Sequence, residues 1–521
     1  MGRINLKSEA SDLLANLELG RIRSVAYDTA WAARPSRIGA CGKRTEFPGA
    51  LRWLLRNQMW DGSWGSEIPY MHDRVLSTAA ALNALQLNDA EKYKERIEMG
   101  VEFLWENMGR LDEDPYETLG SELLLPTMLE EGERLGLGVP EAPPSVRAKR
   151  ERKLKLIPEK MIYTSNTSLA FSMEFLGDDV RPKDLERCAY PNGSLGCSPS
   201  ATMFLLEHTG DSKARRYLNW VSEWMHSGGF PSQLPFDIFE YSWALYNLLK
   251  GGVKDVPGMR ETLERLHLFW KKGKNGMAWG SEYPGADADT TAIAFKVLWE
   301  GGYRPDPEVF SVYEMEQGFK CLEFELNPSV STQIHVLDAL QDLPRSDLPR
   351  RDEIVEKILG YLAKKAIDGE MWTDKWHASP YYTTGNGVLA LARIAPHMAE
   401  GPVNWMLKNQ AQDGGWGTYG TSTVEETAYA VQALQEYSSA VEPLDPAPIL
   451  RGAAFIQSRR KDCFEKLWIA KGLYCPINVI QCAALSVLQK CHTEHGFDPS
   501  EAPITEPISA SQANAEGSGG A

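Results

Sequence analysis

The stretch "NGMAWGSEYPGADADTTAIAFKVL", Asn275 to Leu298, runs from a glycine turn with an aromatic, through a loop, into an almost wholly apolar segment. Two aspartates, Asp287 and Asp289, and two threonines, Thr290 and Thr291, stand at the mouth of that segment. A Ser/Thr pair before a long apolar run is a helix-start signal. The same unit recurs along the chain. It is seen at "DGSWGSEIPYMHDRVLSTAAALNAL" from Asp61, "NGSLGCSPSATMFLLEH" from Asn192, "GGFPSQLPFDIFEYSWALYNLL" from Gly228, "GFKCLEFELNPSVSTQIHVLDAL" from Gly318, "DGEMWTDKWHASPYYTTGNGVLAL" from Asp368 and "DGGWGTYGTSTVEETAYAVQAL" from Asp413. The turn glycines Gly276, Gly318, Gly369 and Gly414 are 42, 51 and 45 residues apart, a period that holds two helices. Helical hairpins of this kind bury their apolar faces only by stacking on one another, as an open solenoid or a closed ring. Strand signals are weak throughout, so the expected class is all-α.

With 521 residues the chain is long for one core, and two domains are expected. The 16 Trp, 19 Tyr and 16 Phe point to large aromatic interiors, as core filling or as cavity walls. A net charge of -16 argues against nucleic acid or an anionic membrane as the main partner. No run of 18 apolar residues and no apolar leader is found, so neither a membrane span nor a signal peptide is expected and a cytoplasmic location is the default. The eight Cys form no C-x-x-C pair and no Cys/His ligand spacing, which leaves zinc and redox readings without support. The tail after about Asp498, rich in Ser, Ala, Gly, Pro and Glu, is expected to be disordered.

Stacking the repeats isolates one column. Thr290 and Thr291 fall where Ser77-Thr78, Ser331-Thr332 and Thr383-Thr384 fall, which reads as helix capping. Just before them stand Leu76, Val330 and Tyr382, against Asp289 here and Glu425 in the last repeat. Asp289 can be read as a solvated cap acid or as a buried carboxylic acid. Burial beside a like charge at Asp287 raises a carboxyl pKa, and a neutral carboxylic acid can donate a proton.

The segment "DADTT" resembles the D-x-D-D motif of class II terpene cyclases, whose middle Asp protonates an isoprenoid double bond. That maps a general acid onto Asp289, with Asp287 and Thr290 beside it. Other segments are similar, in order, to diphosphate-retaining members such as copalyl diphosphate synthases: "YDTAWAAR", "DEDPYET", "KLKLIP", "NGSLGCSPSATM", "PFDIFEYSW" and "DKWHASPYYTTGNG". The likeness spans roughly residues 20 to 490. "QMWDGSW" and "QAQDGGW" also resemble the QW motifs of triterpene cyclases. The resemblance implies two α/α barrels, called β and γ, with the active site between them. The corresponding expected limits are 1–45 for an N-terminal part of β, 46–262 for γ, 263–497 for the rest of β and 498–521 for the tail. No third, class I domain is expected, and no D-D-x-x-D motif follows the second barrel, so the diphosphate is expected to stay in the product.

The resemblance also assigns roles. His335 stands where a residue assisting the acid is expected, either bonding Asp289 or serving as a core histidine. "EDPYE", with Glu113, Asp114 and Glu117, resembles an acidic motif that positions Mg²⁺ near the diphosphate, and is otherwise a solvated acidic loop. Lys153 and Lys375 are candidates to bind the diphosphate, or surface lysines. Trp279, Tyr283, Trp376 and Tyr381 are candidates to line a cavity that stabilises carbocations, or plain packing.

Two departures bear on product. Thr290 replaces the fourth Asp, a D-x-D-T-T form that resembles bacterial cyclases making drimenyl diphosphate from farnesyl diphosphate. Phe171 and Ser232 stand where plant copalyl synthases carry a His and an Asn for the final deprotonation, which leaves the terminating base unassigned. The expected function is therefore a sesquiterpene cyclase acting on farnesyl diphosphate as a monomer or homodimer. The alternatives are a diterpene cyclase acting on geranylgeranyl diphosphate, a squalene–hopene-type cyclase, and a non-catalytic repeat protein binding a lipid or partner helix.

Overall fold

The computed structural model describes residues 5–35, 44–165, 167–273, 275–283, 285–322, 325, 327–461 and 463–499. The expected disordered tail lies, from residue 500 on, outside the described residues.

Each repeat contributes an inner helix that is buried nearly all round, and such a helix is stable only when covered on every side. Six of them close into one ring, each packed on the next: Asp237–Lys250, Ala288–Glu300, Val330–Leu340, Pro380–Leu391, Val424–Ala440 and Ile477–His495, the last returning to the first. Amphipathic helices such as Arg351–Lys365, Glu400–Lys408 and Pro446–Arg459 form an outer layer. A second ring closes through Ala26–Ala33, Met71–Asp89, Ser121–Arg134, the kinked 3-10 segment Ser168–Asp179 and Pro199–Thr209. The all-α class and the paired α/α rings follow from the repeat.

The two cores set different segment limits from those expected. The helix Ala26–Ala33 packs in the second ring, while Asp237–Lys250 and Met259–Lys272 pack in the first. The cores change over between Val25 and Ala26 and again between Leu234 and Phe236, rather than at 45/46 and 262/263. The reason is that the residues just before the DADTT repeat already form an inner helix, whose apolar face only the first ring can cover. Two short hairpins also occur, Glu314–Met315 with Gly318–Phe319 and Trp468–Ile469 with Leu473–Tyr474.

The threonine column does not cap the helices. Caps come from Asp287, Ser329, Ser379, Thr423 and Ser198, whose side chains accept from first-turn N–H groups. The second threonine laces the aromatic turn onto the inner helix. Backbone N–H groups of Trp64, Met277, Trp372 and Trp416 donate to Oγ1 of Thr78, Thr291, Thr384 and Thr427 at 2.9, 2.9, 3.0 and 3.0 Å. In the repeat from Gly318 the same role falls to Gln333, which accepts from Phe319 N–H at 2.8 Å. The turn tryptophans staple the outer layer: Trp64, Trp372 and Trp416 donate their indole N–H to Leu54, Leu362 and Met406 carbonyls at 2.8, 2.9 and 2.8 Å. Gly276, with φ +109°, lies so close to Thr291 that a Cβ would stand 2.3 Å from its Oγ1, which explains glycine at the turn.

Candidate active site

Between the rings lies a narrow, largely apolar cavity. Leu119, Phe171 and Gln233 come from the second-ring side, Asp287, Asp289, Thr290 and a wall of aromatics from the first. Asp287 and Asp289 reach it because they head the helix Ala288–Glu300, whose N-terminus faces the gap. Asp287 is the cap, accepting from Thr290 N–H at 2.6 Å, and its Oδ2 is buried without a hydrogen-bond partner. Burial, and secondarily the Asp289 charge, push the Asp287 carboxyl up to about 7.

Asp289 Oδ1 lies 2.7 Å from His335 Nδ1, as the sequence position of His335 led us to expect. On the far side of the ring His335 Nε2 faces the Tyr382 hydroxyl at 3.4 Å, and that hydroxyl accepts from Trp243 Nε1 at 3.0 Å. An indole can only donate, so the best-satisfied arrangement turns the Tyr382 hydrogen onto Nε2 and leaves the histidine hydrogen on Nδ1 facing Asp289. One Asp289 oxygen is thus held by His335, and the residue lines the cavity.

The aromatic wall is larger than the sequence reading anticipated. Trp279 and Trp376 line the cavity; Tyr283 and Tyr381 do not. Tyr283 stacks behind Trp279 at 3.8 Å and donates to the Thr167 carbonyl, and Tyr381 packs on Trp405 at 4.7 Å. These two are packing residues, a correction whose cause is that Tyr283 turns into a cluster with Tyr190 and Cys197 of the second ring and Tyr381 turns onto the outer helix Glu400–Lys408. The missed residues are Phe236, Phe239 and Trp243, stacked at 4.3 and 3.9 Å, with Trp468 and Tyr474 from the last hairpin. The spacing 236, 239, 243 was a helical-face signal in "PFDIFEYSW". Phe171 lines the cavity; the Ser232 hydroxyl is buried without a partner next to Gln233.

Leu119, Leu322 and Trp376 are shared with an adjoining polar basin, lined by Asp114, Glu117, Glu122, Glu325, Lys149, Lys153 and Lys375 among others. Lys153 lies 3.8 Å from Glu122, and its burial lowers its pKa. Lys375 pairs with Glu325 and donates to the Asn327 carbonyl at 2.8 Å. Lys149, absent from the sequence candidates, pairs with Glu117. The three residues of the acidic motif do not converge. Glu113 is exposed and paired with Arg110 at 2.8 Å, away from the basin. Asp114 accepts from His72 N–H at 2.7 Å and faces His72 Nδ1 at 3.0 Å. Among the described residues no group of three or more His, Cys, Asp or Glu side chains is arranged to hold a metal ion. Asp114 and Glu117 do supply oxygen donors at the basin, the kind that suits Mg²⁺ bound jointly with substrate phosphates.

Among known proteins, the family model of the squalene-hopene cyclase C-terminal domain matches residues 324–444. Over 498 residues, 92% of this chain and 97% of the relative, the sequence is 33% identical to a type B diterpene cyclase of Mycobacterium tuberculosis. It is 31% identical over 376 residues, 70% of this chain and 47% of the relative, to the chloroplastic ent-copalyl diphosphate synthase 2 of Marrubium vulgare. The structure is similar to that of ent-copalyl diphosphate synthase from Streptomyces platensis, with TM-score 0.77, 27% identity and 93% and 99% of the two chains covered. The Arabidopsis thaliana ent-copalyl diphosphate synthase gives TM-score 0.71 and 26% identity, with 93% and 62% covered. Paired α/α rings with an acid at an aromatic cavity between them define a cyclase of isoprenoid chains. The chain belongs to the class II terpene cyclase family. Among the described residues no helix is long and apolar enough to cross a membrane.

Proposed function

We propose that this protein is a class II diterpene cyclase that converts geranylgeranyl diphosphate into a bicyclic, copalyl-type diphosphate. The observation that carries the reading is the buried Asp289–His335 pair, 2.7 Å apart, at the end of an aromatic-walled cavity beside a lysine-bearing basin. The relative that aligns along nearly the whole chain is named a diterpene cyclase, which favours the C20 substrate over the farnesyl diphosphate suggested by the D-x-D-T-T form. None of the relatives reported above is named a sesquiterpene or drimenyl enzyme.

In this reading Asp289 gives its proton to the terminal alkene, whose π pair forms the new C–H bond and leaves a tertiary cation. Two internal alkenes then attack in turn, closing two rings, and loss of a proton from carbon ends the sequence with the diphosphate intact. His335 steadies the Asp289 carboxylate that remains. The aromatic wall excludes water and stabilises positive charge without trapping it. Lys153 and Lys375, with Lys149, hold the diphosphate in the basin. Mg²⁺, when bound there through Asp114 or Glu117, would neutralise diphosphate charge.

The test is to incubate the protein with geranylgeranyl and farnesyl diphosphate separately, with Mg²⁺, and to analyse the dephosphorylated products by GC-MS. A bicyclic C20 alcohol supports the reading. A bicyclic C15 alcohol from farnesyl diphosphate alone would return the assignment to a drimenyl-type cyclase. Absence of product from both would favour a binding protein.

A further inference from the structure

A second buried acid–histidine pair lies behind the cavity wall. Glu425 is the second residue after the cap Thr423 of its helix, the place Asp289 holds after Asp287. Its Oε1 accepts from Trp468 Nε1 at 2.6 Å and Tyr429 Oη at 3.2 Å, and faces His377 Nε2 at 3.4 Å. His377 Nδ1 accepts from Ser379 N–H at 3.1 Å, which puts the ring hydrogen on Nε2, facing Glu425. Glu425 is 2% exposed, and its Oε2 is buried with no hydrogen-bond partner. Three donors converge on one oxygen, and a hydrogen on the other would have no acceptor. On Oε1 the carboxyl group of Glu425 thus acts as the acceptor for an indole, a phenol and an imidazole at once.

A carboxylate is expensive to bury, and among the described residues no lysine or arginine pairs with Glu425. An apolar residue here would fill the column as Leu76 and Tyr382 do in theirs. Glu425 does not line the cavity, but Trp468, to which it is bonded, does. A negative charge at the indole N–H draws its hydrogen outward and enriches the ring in electrons, and cation–π attraction grows with the electron density of the face. In a low-dielectric interior this influence is not screened as it would be in water. Trp468 meets Phe239 edge-on at 5.1 Å and Trp243 at 6.2 Å, so the enriched ring belongs to the same wall as the aromatics nearest Asp289.

We propose that Glu425 is a positioning residue for the cationic stage of the reaction: its carboxylate orients the Trp468 indole and strengthens that ring's hold on the migrating positive charge. The inference rests on the cyclase reading above. The test uses the full chain with geranylgeranyl diphosphate, Mg²⁺ and GC-MS of dephosphorylated products. Glu425→Gln keeps the shape and an acceptor for the indole but removes the charge. We expect kcat to fall roughly tenfold with KM within about twofold, and monocyclic or water-quenched alcohols to rise as a share of product. Glu425→Asp, which keeps the charge, should retain more kcat than Glu425→Gln and serves if the glutamine variant does not fold. In a Trp468→Phe background, Glu425→Gln should change kcat less than about twofold, because the ring through which the charge acts is gone. Wild-type turnover with an unchanged Glu425→Gln variant, or an undiminished effect in the Trp468→Phe background, would overturn this inference alone. An inactive wild type would overturn the cyclase reading and this inference with it.

Discussion

Tyr382 Oη and His335 Nε2 face each other at 3.4 Å, on the side of the imidazole turned away from Asp289. The acid is thus one end of a buried line running from Trp243 through Tyr382 and His335. Asp289→Asn, nearly equal in size, should lower turnover by at least about 10³-fold with little change in melting temperature. His335→Phe should cost on the order of 10²-fold in kcat and move the alkaline limb of the pH–rate profile, where a general acid loses its proton. Full activity in the Asp289→Asn variant would remove the acid from the mechanism.

A second prediction concerns stability against pH. Burial pushes Asp287, Asp28, Glu240 and Glu465 up to about 7 and Asp73 up to about 6. A carboxyl whose folded pKa is raised binds more protons in the folded state than in the unfolded one between about pH 4 and 7. Stability is accordingly lost as pH rises through that window. Melting temperature should be higher at pH 5 than at pH 8, by on the order of 5 °C, and Asp287→Asn should shrink that difference. Glu67, held down at about 2 with Lys466 and Arg23 opposing its burial, acts in the other direction and matters only below about pH 4.5. A flat profile from pH 5 to 8 would contradict this account.

Lys471 carries a third. Its ammonium is fully buried between the rings, donating to Glu174 Oε1 at 2.6 Å and to Ser198 and Ser200 hydroxyls at 2.7 Å each. Removing one member of a buried pair strands the other charge, at a cost of about 3–5 kcal/mol. Lys471→Met should therefore lower the denaturation midpoint sharply, and adding Glu174→Gln should recover part of the loss. Equal stability of Lys471→Met and wild type would show that the pair contributes nothing.

The basin gives a fourth. Lys153→Ala and Lys375→Ala should each raise KM for the prenyl diphosphate, by roughly tenfold, with a smaller effect on kcat. The increase should be less marked at high ionic strength, where the wild type is itself weakened. A change confined to kcat would place both lysines elsewhere in the mechanism.

The repeat and the acid were legible in the sequence because each depends on local spacing. Asp289 stood out as an acid in an apolar column, and His335 lay one repeat on, where the geometry brings the two together. Tyr283 and Tyr381 were misread because nearness to a motif along the chain does not fix the direction of a side chain. Trp468 and Tyr474 were missed for the complementary reason: they reach the cavity from a hairpin far away in sequence, through ring closure, while Phe236 comes from the adjoining repeat. The threonines were taken for caps because Ser and Thr favour helix starts, yet Thr291 and Thr384 lie one turn inside, where they bind the preceding turn instead. The acidic motif reads as one unit in "EDPYE", but the backbone turns Glu113 toward Arg110 and Asp114 toward His72.

The first ring begins before the second and is completed after it: Arg23 N–H donates to the Cys475 carbonyl at 3.2 Å, and Ile477 N–H returns to the Arg21 carbonyl at 2.9 Å. On the ribosome, this order means that the inserted ring can close once Leu234 has emerged, while its host still lacks the helix Ile477–His495. At ordinary elongation rates that interval lasts roughly 13–50 s. During it the host ring's apolar inner helices are made one after another with no closing neighbour, which makes the nascent chain a natural client for chaperones until its final helix arrives.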